Sequence, residues 1–340
     1  MNDLPRPYLV FLGDLRDGPA AKTAYGMRDW APEACVGQWS LPDGRIDLGF
    51  ARLNPAEARA RGARSLLIAA APFGGGLPDH WIAPLLEALQ AGLDIVSGLH
   101  TRLSSIAPLA AAAQAQGRTL YDVRHGQYER SVATGRKRIG KRLLTVGTDC
   151  SSGKKYTALS IARAMRMRDR PATFRATGQT GIMISGGGIA VDAVIGDFLA
   201  GVAERLSPDS SPDHWDVIEG QGSLFHPAYA AVTLGLLHGS QPDAMVLCHD
   251  PVRRHIGNYP DYPLPSLTEA IDLYRRLGRL TNPAARFVGV SLNTSKLGTA
   301  EATATFRAVE AKTGLFAFDP LKDDLTPLLD RLDETVCSPS

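Results

Sequence analysis

Short apolar runs alternate with segments of helical periodicity through the first third of the chain. Four runs have the length and composition of buried strands: residues 8–12, 65–71, 94–97 and 119–123. Apolar residues recur at helical spacing over residues 81–93 and over the alanine-rich residues 105–116. Strands that alternate with helices at this spacing are typical of a parallel α/β sheet.

The same alternation continues to the end of the chain. Six further strands are predicted, at residues 143–146, 173–176, 215–218, 244–249, 287–292 and 314–317. Helical periodicity covers residues 158–165, 267–277, 299–312 and 325–332, and the first of these helices must end before Pro171. The predicted fold class is therefore α/β throughout.

Residues 143–157, LLTVGTDCSSGKKYT, join a predicted strand to a predicted helix through a glycine-flanked loop. Gly147 and Gly153 enclose five residues, and Lys154 and Lys155 follow at once. The first N–H groups of a helix have no partner inside it, and glycines let such a backbone approach a ligand closely. Together with the positive end of the helix dipole and a lysine they form an anion site, most naturally for phosphate. This arrangement is that of a P-loop.

The loop departs from the P-loop pattern G-x-x-x-x-G-K-[ST] at two positions. Thr148 stands where the first glycine belongs, and Lys155 stands where the magnesium-binding hydroxyl belongs. A phosphate cradle is predicted, while ordinary magnesium-nucleotide chemistry is disfavoured; a glycine-rich turn without a ligand is the alternative. The predicted cradle residues are Gly147, Thr148, Asp149, Ser151, Ser152, Gly153, Lys154, Lys155, Tyr156 and Thr157.

The length of 340 residues favours two domains. We predict a Rossmann-like N-terminal domain at residues 1–125, a basic linker at 126–142 and a P-loop-like parallel-sheet C-terminal domain at 143–335. The first strand is followed by Gly13 and Asp14 but by no G-x-G-x-x-G, so a dinucleotide site is not expected.

The basic linker has two interpretations. Residues 124–142 carry seven arginines and lysines against one acid, Glu129, and apolar periodicity lapses there. They predict either a solvated connector between domains or a positive rim for a phosphorylated ligand. Tyr128 is the one aromatic residue of the run, which disfavours nucleic-acid binding.

The composition limits the class of protein without naming it. Hydrophobic residues make up 44% of the chain, charged residues 21%, and the net charge is +2, which gives no pull toward nucleic acid or membranes. No apolar run reaches the length of a transmembrane helix, and no secretory signal is visible at the start. The four cysteines form no C-x-x-C pair, which predicts a cytoplasmic protein without a metal site.

Two polar residues after the strand WDVI are candidates for catalysis. Glu219 ends this strand beside the predicted P-loop, where a carboxylate usually serves magnesium and otherwise can act as a general base. His226 follows in GQGSLFHP and is either structural or a second candidate base. A turn carboxylate is the structural alternative for Glu219.

Other candidates surround these two. Arg175 and Gln179 lie in FRATGQTG, where an arginine can clamp a carboxylate or form an ion pair that fixes the loop. Cys150, inside the P-loop, is a nucleophile by position but has no histidine near it in sequence, so packing is favoured. Asn293 ends the strand FVGVSL and either contacts a ligand or forms a turn.

Four segments together resemble one family. GTDCSSGKKYTAL, FRATGQTGIMISGGG, EGQGSLFHPAYA and FAFDPLKDDL identify the chain as similar to the DUF1611 family, which has a Rossmann-like N-terminal domain and a P-loop C-terminal domain. Members are associated with D-glutamate N-acetyltransferase activity. The segment GTDCSSGK also resembles the P-loop of dethiobiotin synthetase.

The DUF1611 resemblance implies acetyl transfer from acetyl-CoA to the amino group of D-glutamate, with no tightly bound cofactor. The cradle would then hold the phosphates of CoA, and Glu219 or His226 would take the proton of the ammonium. Substrate contacts are expected from Arg175, Gln179, Gln221 and Ser223, with backbone donors for the thioester oxygen from residues 220–222.

Two rivals stay open at this stage. An ATP- and magnesium-dependent ligase or kinase is suggested by the dethiobiotin synthetase likeness, and a sensor that binds nucleotide or CoA without turnover is the second. The expected partners are a small amino acid and CoA, with neither nucleic acid nor membrane, in a homodimer or higher homo-oligomer.

Overall fold

The computed structural model describes residues 3–16, 18–70, 72, 75–125 and 128–337. Ala71, at the end of a predicted strand, and residues 126–127, at the start of the predicted linker, lie outside the described residues. The chain forms two compact units. The first contains Met1–Gln127 and Gly178–Ala193, and the second contains Tyr128–Thr177 and Val194–Ser340. The predicted α/β class with parallel sheets is confirmed.

The first unit is built on a five-stranded parallel sheet in the order β2-β1-β3-β4-β5. Its strands are β1 (Tyr8–Gly13), β2 (Cys35–Ser40), β3 (Ser65–Ile68), β4 (Asp94–Ser97) and β5 (Leu120–Asp122). Its helices are α1 (Lys22–Trp30), α2 (Pro55–Ala60), α3 (Ile82–Gln90), α4 (Ala107–Ala115) and α6 (Gln179–Ser185). Strand β2 was not predicted from the sequence because CVGQWS has no continuous apolar run.

Helix α6 belongs to the first unit although it follows the P-loop in sequence. Tyr8 donates to the carbonyl of Met183, and Arg6 donates to the carbonyl of Ser185 at 2.6 Å. The hydroxyls of Thr23 and Thr180 lie 2.8 Å apart. The predicted domain boundaries do not include this excursion of the chain, since nothing in GQTGIMISGGG marks it.

The second unit is built on a six-stranded parallel sheet in the order β13-β12-β9-β6-β8-β7. Its strands are β6 (Lys141–Gly147), β7 (Ala172–Arg175), β8 (Trp215–Ile218), β9 (Ala244–His249), β12 (Arg286–Leu292) and β13 (Phe316–Phe318). An antiparallel hairpin of β10 (His255–Ile256) and β11 (Tyr259–Pro263) stands beside the sheet. Its helices are α5 (Lys154–Met167), α7 (Gly196–Leu206), α8 (Ala230–Ser240), α9 (Leu267–Arg279), α10 (Thr299–Thr313) and α11 (Thr326–Leu332).

Strand β6 places the P-loop in the middle of this second sheet. Successive side chains of a strand point to opposite faces. Leu143 therefore packs with Ile161 of α5, while Leu144 packs on the other face with Leu199 of α7. Helices cover both faces, which fixes the strand end that carries the loop.

Helices α7 and α8 were missing from the sequence prediction. Helix α8 has apolar residues all round, so it has no amphipathic pattern to detect. Its glycines allow the close approach of α7: a Cβ on Gly239 would lie 2.1 Å from the carbonyl oxygen of Ala200. The contact depends on tertiary packing, which the periodicity of a sequence does not predict.

Two residues of the basic run are buried, which corrects both interpretations for them. Arg142 donates to backbone carbonyls that include those of Ile139 and Ser207. Arg138 donates to the carbonyls of Gly239 and Ser240, at the C-terminus of α8, where a cation also suits the helix dipole. Burial lowers the pKa of Arg142. These two charges hold backbone together and do not form a rim for a ligand.

Within the described residues, no helix has both the length and the apolar character required to cross a membrane.

Candidate active site

The P-loop ends in a glycine at the N-cap position of α5. Gly153 is the N-cap residue, with φ 104°, and Ser151 also has positive φ, at 52°. A positive φ at the N-cap is a conformation that favours glycine. As a glycine, Gly153 has no side chain that could bond to the first N–H groups of α5. The helix therefore begins with donors directed at the loop, as an anion site requires.

Lys154 is buried inside this loop. Its side chain is 6% exposed, and Nζ donates to the carbonyl of Asp149 at 2.8 Å and approaches Ser152 Oγ at 3.4 Å. Burial lowers its pKa because desolvation disfavours the charged form. A bound anion would compensate that desolvation, so the lysine favours a ligand of negative charge.

The carboxylate of Asp149 accepts hydrogen bonds from other groups of the protein. Its oxygens accept hydrogen bonds from the N–H of Cys150 at 2.6 Å, the N–H of Gly257 at 2.8 Å and the guanidinium of Arg253 at 2.5 Å. Arg253 also donates to the carbonyl of Cys150 at 2.8 Å. Asp149 thus fastens the hairpin β10–β11 to the loop, and it shapes the cradle without facing a ligand. Sequence reasoning missed Arg253, which lies about a hundred positions away in sequence.

Several predicted cradle residues serve packing. The hydroxyl of Thr157 lies 2.8 Å from that of Ser291 and is fully buried. Ser152 Oγ donates to the carbonyl of Asp149 at 3.0 Å. Lys155 Nζ lies 4.5 Å from the ring centre of Tyr156, a cation–π contact outside the loop. Among the hydroxyls of the loop, that of Ser151 is the exposed one.

His249, which was not among the predicted site residues, supports the loop from β9. Its Nδ1 lies 3.0 Å from Thr148 Oγ1. Burial lowers the pKa of His249 to about 4, so the ring is neutral near pH 7. The dipeptide His249-Asp250 follows an apolar strand at the same sheet edge as Glu219, and this placement was the available signal.

Glu219 directly follows β8, and the next residue, Gly220, lies against the lysine of the loop. Its side chain is 4% exposed, and its Oε2 accepts a hydrogen bond from the N–H of Thr177 at 3.0 Å. A Cβ on Gly220 would lie 1.7 Å from the carbonyl oxygen of Thr145 and 3.0 Å from Lys154 Cδ, so only glycine fits there. The Gly220 N–H donates to Thr145 Oγ1 and is not available as a donor to a thioester oxygen.

His226 lies at the cradle, although it is far from it in sequence. The ring is 3% exposed, and a ring nitrogen, Cys150 Sγ and an Asp149 carboxylate oxygen all lie within 4.8 Å of one another. The N–H of Ala228 donates to Nδ1 at 3.1 Å, so the neutral ring carries its proton on Nε2. In that tautomer Nε2 is a donor, which disfavours His226 as a general base and equally as a metal ligand.

Cys150 has no histidine near it in sequence, but the fold places His226 next to it. The thiol is half-buried, and burial raises its pKa, which favours the thiol over the thiolate. The adjacent His226 offers a proton rather than a base. A packing role for Cys150 therefore agrees better with its surroundings than a nucleophilic one.

Tyr274 ties the two loops of the site together and was also missed. Its hydroxyl donates to the carbonyl of Gly147 at 2.9 Å and accepts from the N–H of Leu224 at 3.1 Å. Complete burial raises its pKa to about 12. Tyr274 lies within the helix predicted at residues 267–277, but the helical periodicity gave no sign of this polar contact.

The four predicted substrate contacts are placed differently. Arg175 forms an ion pair with Asp216 at 2.7 Å, two residues back along β8 from its register partner Ile218, so its side chain turns away from the strand ends. Gln179 lies in the first unit beside Gly98. Gln221 donates to Thr177 Oγ1 at 3.1 Å and stays next to Glu219, whereas Ser223 is fully buried.

The side chain of Asn293 bonds to its own loop. Its side-chain oxygen accepts from the N–H of Ser295 at 3.2 Å, and its own N–H donates to the carbonyl of His249. These contacts favour the turn-forming alternative.

Two family models match the chain. Residues 35–126 match the Rossmann-like domain of DUF1611, and residues 131–329 match the DUF1611 P-loop domain, each described as a domain of unknown function. The second match covers more than half of the chain.

Two named relatives and a solved structure match nearly the whole chain. A D-glutamate N-acetyltransferase from Tritonibacter scottomollicae is 50% identical, and one from Pseudoalteromonas sp is 43% identical, both over 96% of this chain and 98% of the relative. The crystal structure of a DUF1611 family protein from Anabaena variabilis has a TM-score of 0.86 and 34% identity, and the match covers 97% of this chain and 99% of that one.

Proposed function

We propose that this chain, which belongs to the DUF1611 family, transfers the acetyl group of acetyl-CoA to the amino group of D-glutamate and forms N-acetyl-D-glutamate. The observation that carries the proposal is the identity of 50% and 43% to two relatives named D-glutamate N-acetyltransferase, each over 96% of the chain. The family match and these relatives together cover both units. The protein is an acyltransferase.

The site supports this reaction because it combines the groups that acetyl transfer to an acidic amino acid needs. The loop and Lys154 form an anion cradle. Glu219 supplies a carboxylate beside that cradle, and His226 supplies an N–H donor. A carboxylate can take up the proton of an ammonium group, and a buried N–H can stabilise a developing oxyanion.

The reaction proceeds by direct transfer between the two substrates. Glu219 accepts a proton from the ammonium of D-glutamate, and the freed nitrogen lone pair attacks the thioester carbonyl carbon. The C–N bond forms, and the carbonyl oxygen takes a negative charge that the N–H of His226 stabilises. The C–S bond then breaks, the nitrogen loses its second proton, and the departing CoA thiolate is protonated.

Acetyl-CoA is the proposed donor because the reaction needs an activated acetyl group and the loop departs from magnesium-nucleotide chemistry. Lys155 replaces the hydroxyl that would bind magnesium in a nucleotide-hydrolysing P-loop. A thioester carries its activation with it and requires neither ATP nor magnesium. The assignment of the cradle to the phosphates of CoA stays a prediction.

The test is release of free thiol from acetyl-CoA in the presence of D-glutamate, L-glutamate, D-aspartate or L-aspartate, with the product identified by mass spectrometry. We expect thiol release with D-glutamate and one acetyl group on its nitrogen. Absence of thiol release with D-glutamate contradicts the proposal. A parallel assay with ATP and magnesium addresses the ligase alternative, which ADP release dependent on an acidic substrate would support.

A further inference from the structure

Four aromatic rings form a continuous row beside the P-loop. The centre of the His226 ring lies 4.6 Å from that of Tyr229 and 5.1 Å from that of Tyr259. The centre of the Tyr259 ring lies 5.9 Å from that of Tyr262. Such distances are typical of aromatic pairs in contact. We call these four residues the aromatic row. A ring nitrogen of His226 also lies within 4.8 Å of Cys150 Sγ, so the row adjoins the loop.

The row ends in two exposed rings. Tyr229 is 52% exposed and Tyr262 is 51% exposed, whereas His226 between them is 3% exposed. Among the tyrosine, tryptophan and phenylalanine side chains that the structure describes, these two are the exposed ones. An exposed ring is a stacking surface for a nucleobase, because every base has a π-face that such a ring can cover. The position of both rings at the candidate active site favours a ligand that contains a flat aromatic ring.

The hairpin β10–β11, which carries Tyr259 and Tyr262, is fixed to the loop. The N–H of Gly257, in the turn of the hairpin, donates to the Asp149 carboxylate at 2.8 Å. Arg253, two residues before β10, donates to the same carboxylate at 2.5 Å. A surface that is already ordered loses little conformational entropy when a ligand binds. Tyr262 is therefore a preorganised surface beside the P-loop.

Arg254 adds a cation next to this surface. The N–H of Leu264 donates to the carbonyl of Arg254 at 2.9 Å, which places Arg254 across the hairpin from a residue two positions after Tyr262. Its exposed side chain makes no hydrogen bond or ion pair with a described residue. Burial lowers the pKa of His249, and the charge of Arg254 lowers it further, so this guanidinium lies near the P-loop end of β9. The one acid of β10 and β11 is Asp261. An exposed guanidinium without a carboxylate partner is suited to a phosphate group.

We propose that Tyr262 and Arg254 bind the adenosine end of acetyl-CoA: the adenine ring stacks on Tyr262, and the 3′-phosphate pairs with Arg254. This inference rests on the proposed function and names the donor subsite within it. The two steps from His226 to Tyr262 along the row are 5.1 and 5.9 Å, and the pantetheine arm of CoA alone is roughly 14 Å when extended. A thioester can therefore reach the N–H of His226 while the adenosine stays on the hairpin.

The first test compares acetyl-CoA with acetyl-dephospho-CoA, which lacks the 3′-phosphate, and with acetyl-pantetheine, which lacks the whole nucleotide. We expect Tyr262→Leu to raise the KM for the first two donors about 5- to 100-fold, because stacking of the base is lost. The KM for acetyl-pantetheine should stay within about twofold. Arg254→Gln should raise the KM for acetyl-CoA alone, by about 5- to 30-fold.

Two exposed residues elsewhere in the second unit provide matched controls for the first test. Leu280→Ala, just after α9, and Arg307→Gln, on α10, should leave every donor KM within about twofold. A KM for acetyl-CoA that is unchanged in Tyr262→Leu overturns the inference. An equal rise with acetyl-pantetheine also overturns it, because the hairpin would then act without contacting the nucleotide. Circular dichroism verifies the fold of each variant.

The second test needs no turnover. Isothermal titration calorimetry gives the Kd of CoA and of dephospho-CoA for the unmodified protein, Tyr262→Leu and Arg254→Gln. We expect Tyr262→Leu to weaken both ligands and Arg254→Gln to weaken CoA alone. CoA that binds equally to all three proteins, or to none of them, overturns the inference. Binding of CoA that depends on Tyr262, without acetyl transfer to D-glutamate, would support the inference and contradict the proposed function.

Discussion

The two units contain the same kind of turn, and only one of them forms an anion cradle. In the first unit β1 ends at Gly13, and in the second β6 ends at Gly147; each strand is followed by a polar loop and a helix. At Gly13, with φ 57°, a Cβ would lie 2.3 Å from the ring of Trp81. The indole of Trp81 therefore fills the space over the first turn.

The hydrogen bonds of the two turns differ in the same sense. In the first unit Asp14 accepts from the indole N–H of Trp81 at 2.8 Å, and the N–H of Ala24, in the first turn of α1, donates to the carbonyl of Ala69. In the second unit the N-cap residue of α5 is Gly153, and a Cβ there would meet nothing within 4 Å among the described residues. The comparison teaches that a strand, a glycine and a helix in succession are not sufficient for an anion site. The donors must also be left available, and the space in front of them must be empty.

The largest expected effect distinguishes the carboxylates of the two units. Glu219→Gln keeps the size of the side chain but removes the proposed base, so we expect kcat to fall about 10²- to 10⁴-fold with the fold retained. Asp14→Asn is the matched control in the first unit, since its oxygen can still accept from Trp81. The measurement is the steady-state rate with D-glutamate and acetyl-CoA, together with circular dichroism.

Either of two results would contradict the assignment of the base to Glu219 of the second unit. If Glu219→Gln kept its kcat within a few-fold, the base would have to be another group. If Asp14→Asn lost activity as strongly as Glu219→Gln, the first turn would be part of the site.

The next effect concerns two buried tyrosine hydroxyls. Tyr274→Phe removes the donor to the Gly147 carbonyl and the acceptor of the Leu224 N–H, so we expect the free energy of unfolding to fall by about 1–3 kcal/mol. Because the same hydroxyl joins the P-loop to the loop of His226, kcat/KM should fall as well. Tyr8→Phe, which removes one 3.4 Å bond to Met183 in the first unit, should lower stability by less than about 1 kcal/mol and leave catalysis unchanged.

Urea denaturation measures the free energy of unfolding of both tyrosine variants, and steady-state kinetics measures their kcat/KM. Equal losses of kcat/KM in the two variants would show that Tyr274 acts through general stability and does not position the loops.

The structural features that depend on local sequence pattern were predicted correctly. The apolar run before Gly147 and the residues that follow it were sufficient to predict the strand, the loop and the helix, because all of these are close in sequence. The alternation of strands and helices was likewise sufficient for the α/β class of both units.

Contacts between residues that are distant in sequence were not predicted. The pairing of Asp149 with Arg253 and the approach of His226 to Cys150 are set by how separate strands end at one edge of the sheet. Arg175 was expected to meet a substrate and instead pairs with Asp216, because the strand register directs its side chain backward. Residue type and spacing carry no information about such register.

A smaller effect should appear as an acid sensitivity that the second unit owes to His249. Burial lowers the pKa of this histidine from its ordinary 6.5 to about 4, so below pH 6.5 the unfolded chain binds a proton that the folded chain does not. Stability is therefore complete above pH 6.5 and is lost as the pH falls toward 4. Between pH 6.5 and 5.5 the free energy of unfolding should fall by about 1 kcal/mol from this group.

Hydrogen exchange at several pH values, resolved by unit, measures this effect. His249→Gln, which keeps a hydrogen-bonding side chain for Thr148, should reduce the slope in the second unit. An unchanged slope would mean that other groups control the acid sensitivity.

The smallest effect compares a helix start that the chain caps for itself with one that it leaves open. Helix α2 of the first unit has a complete capping box: Asn54 Oδ1 accepts from the N–H of Glu57 at 2.9 Å, and the Glu57 carboxylate accepts from the N–H of Asn54 at 2.9 Å. Asn54→Ala removes one half of this box, so we expect a loss of about 0.5–1 kcal/mol in the free energy of unfolding, with kcat and both KM values unchanged. Urea denaturation and steady-state kinetics on one preparation give both quantities. A loss of activity in Asn54→Ala would contradict the distinction between the two helix starts, because a structural cap in the first unit would then influence the open helix start of α5.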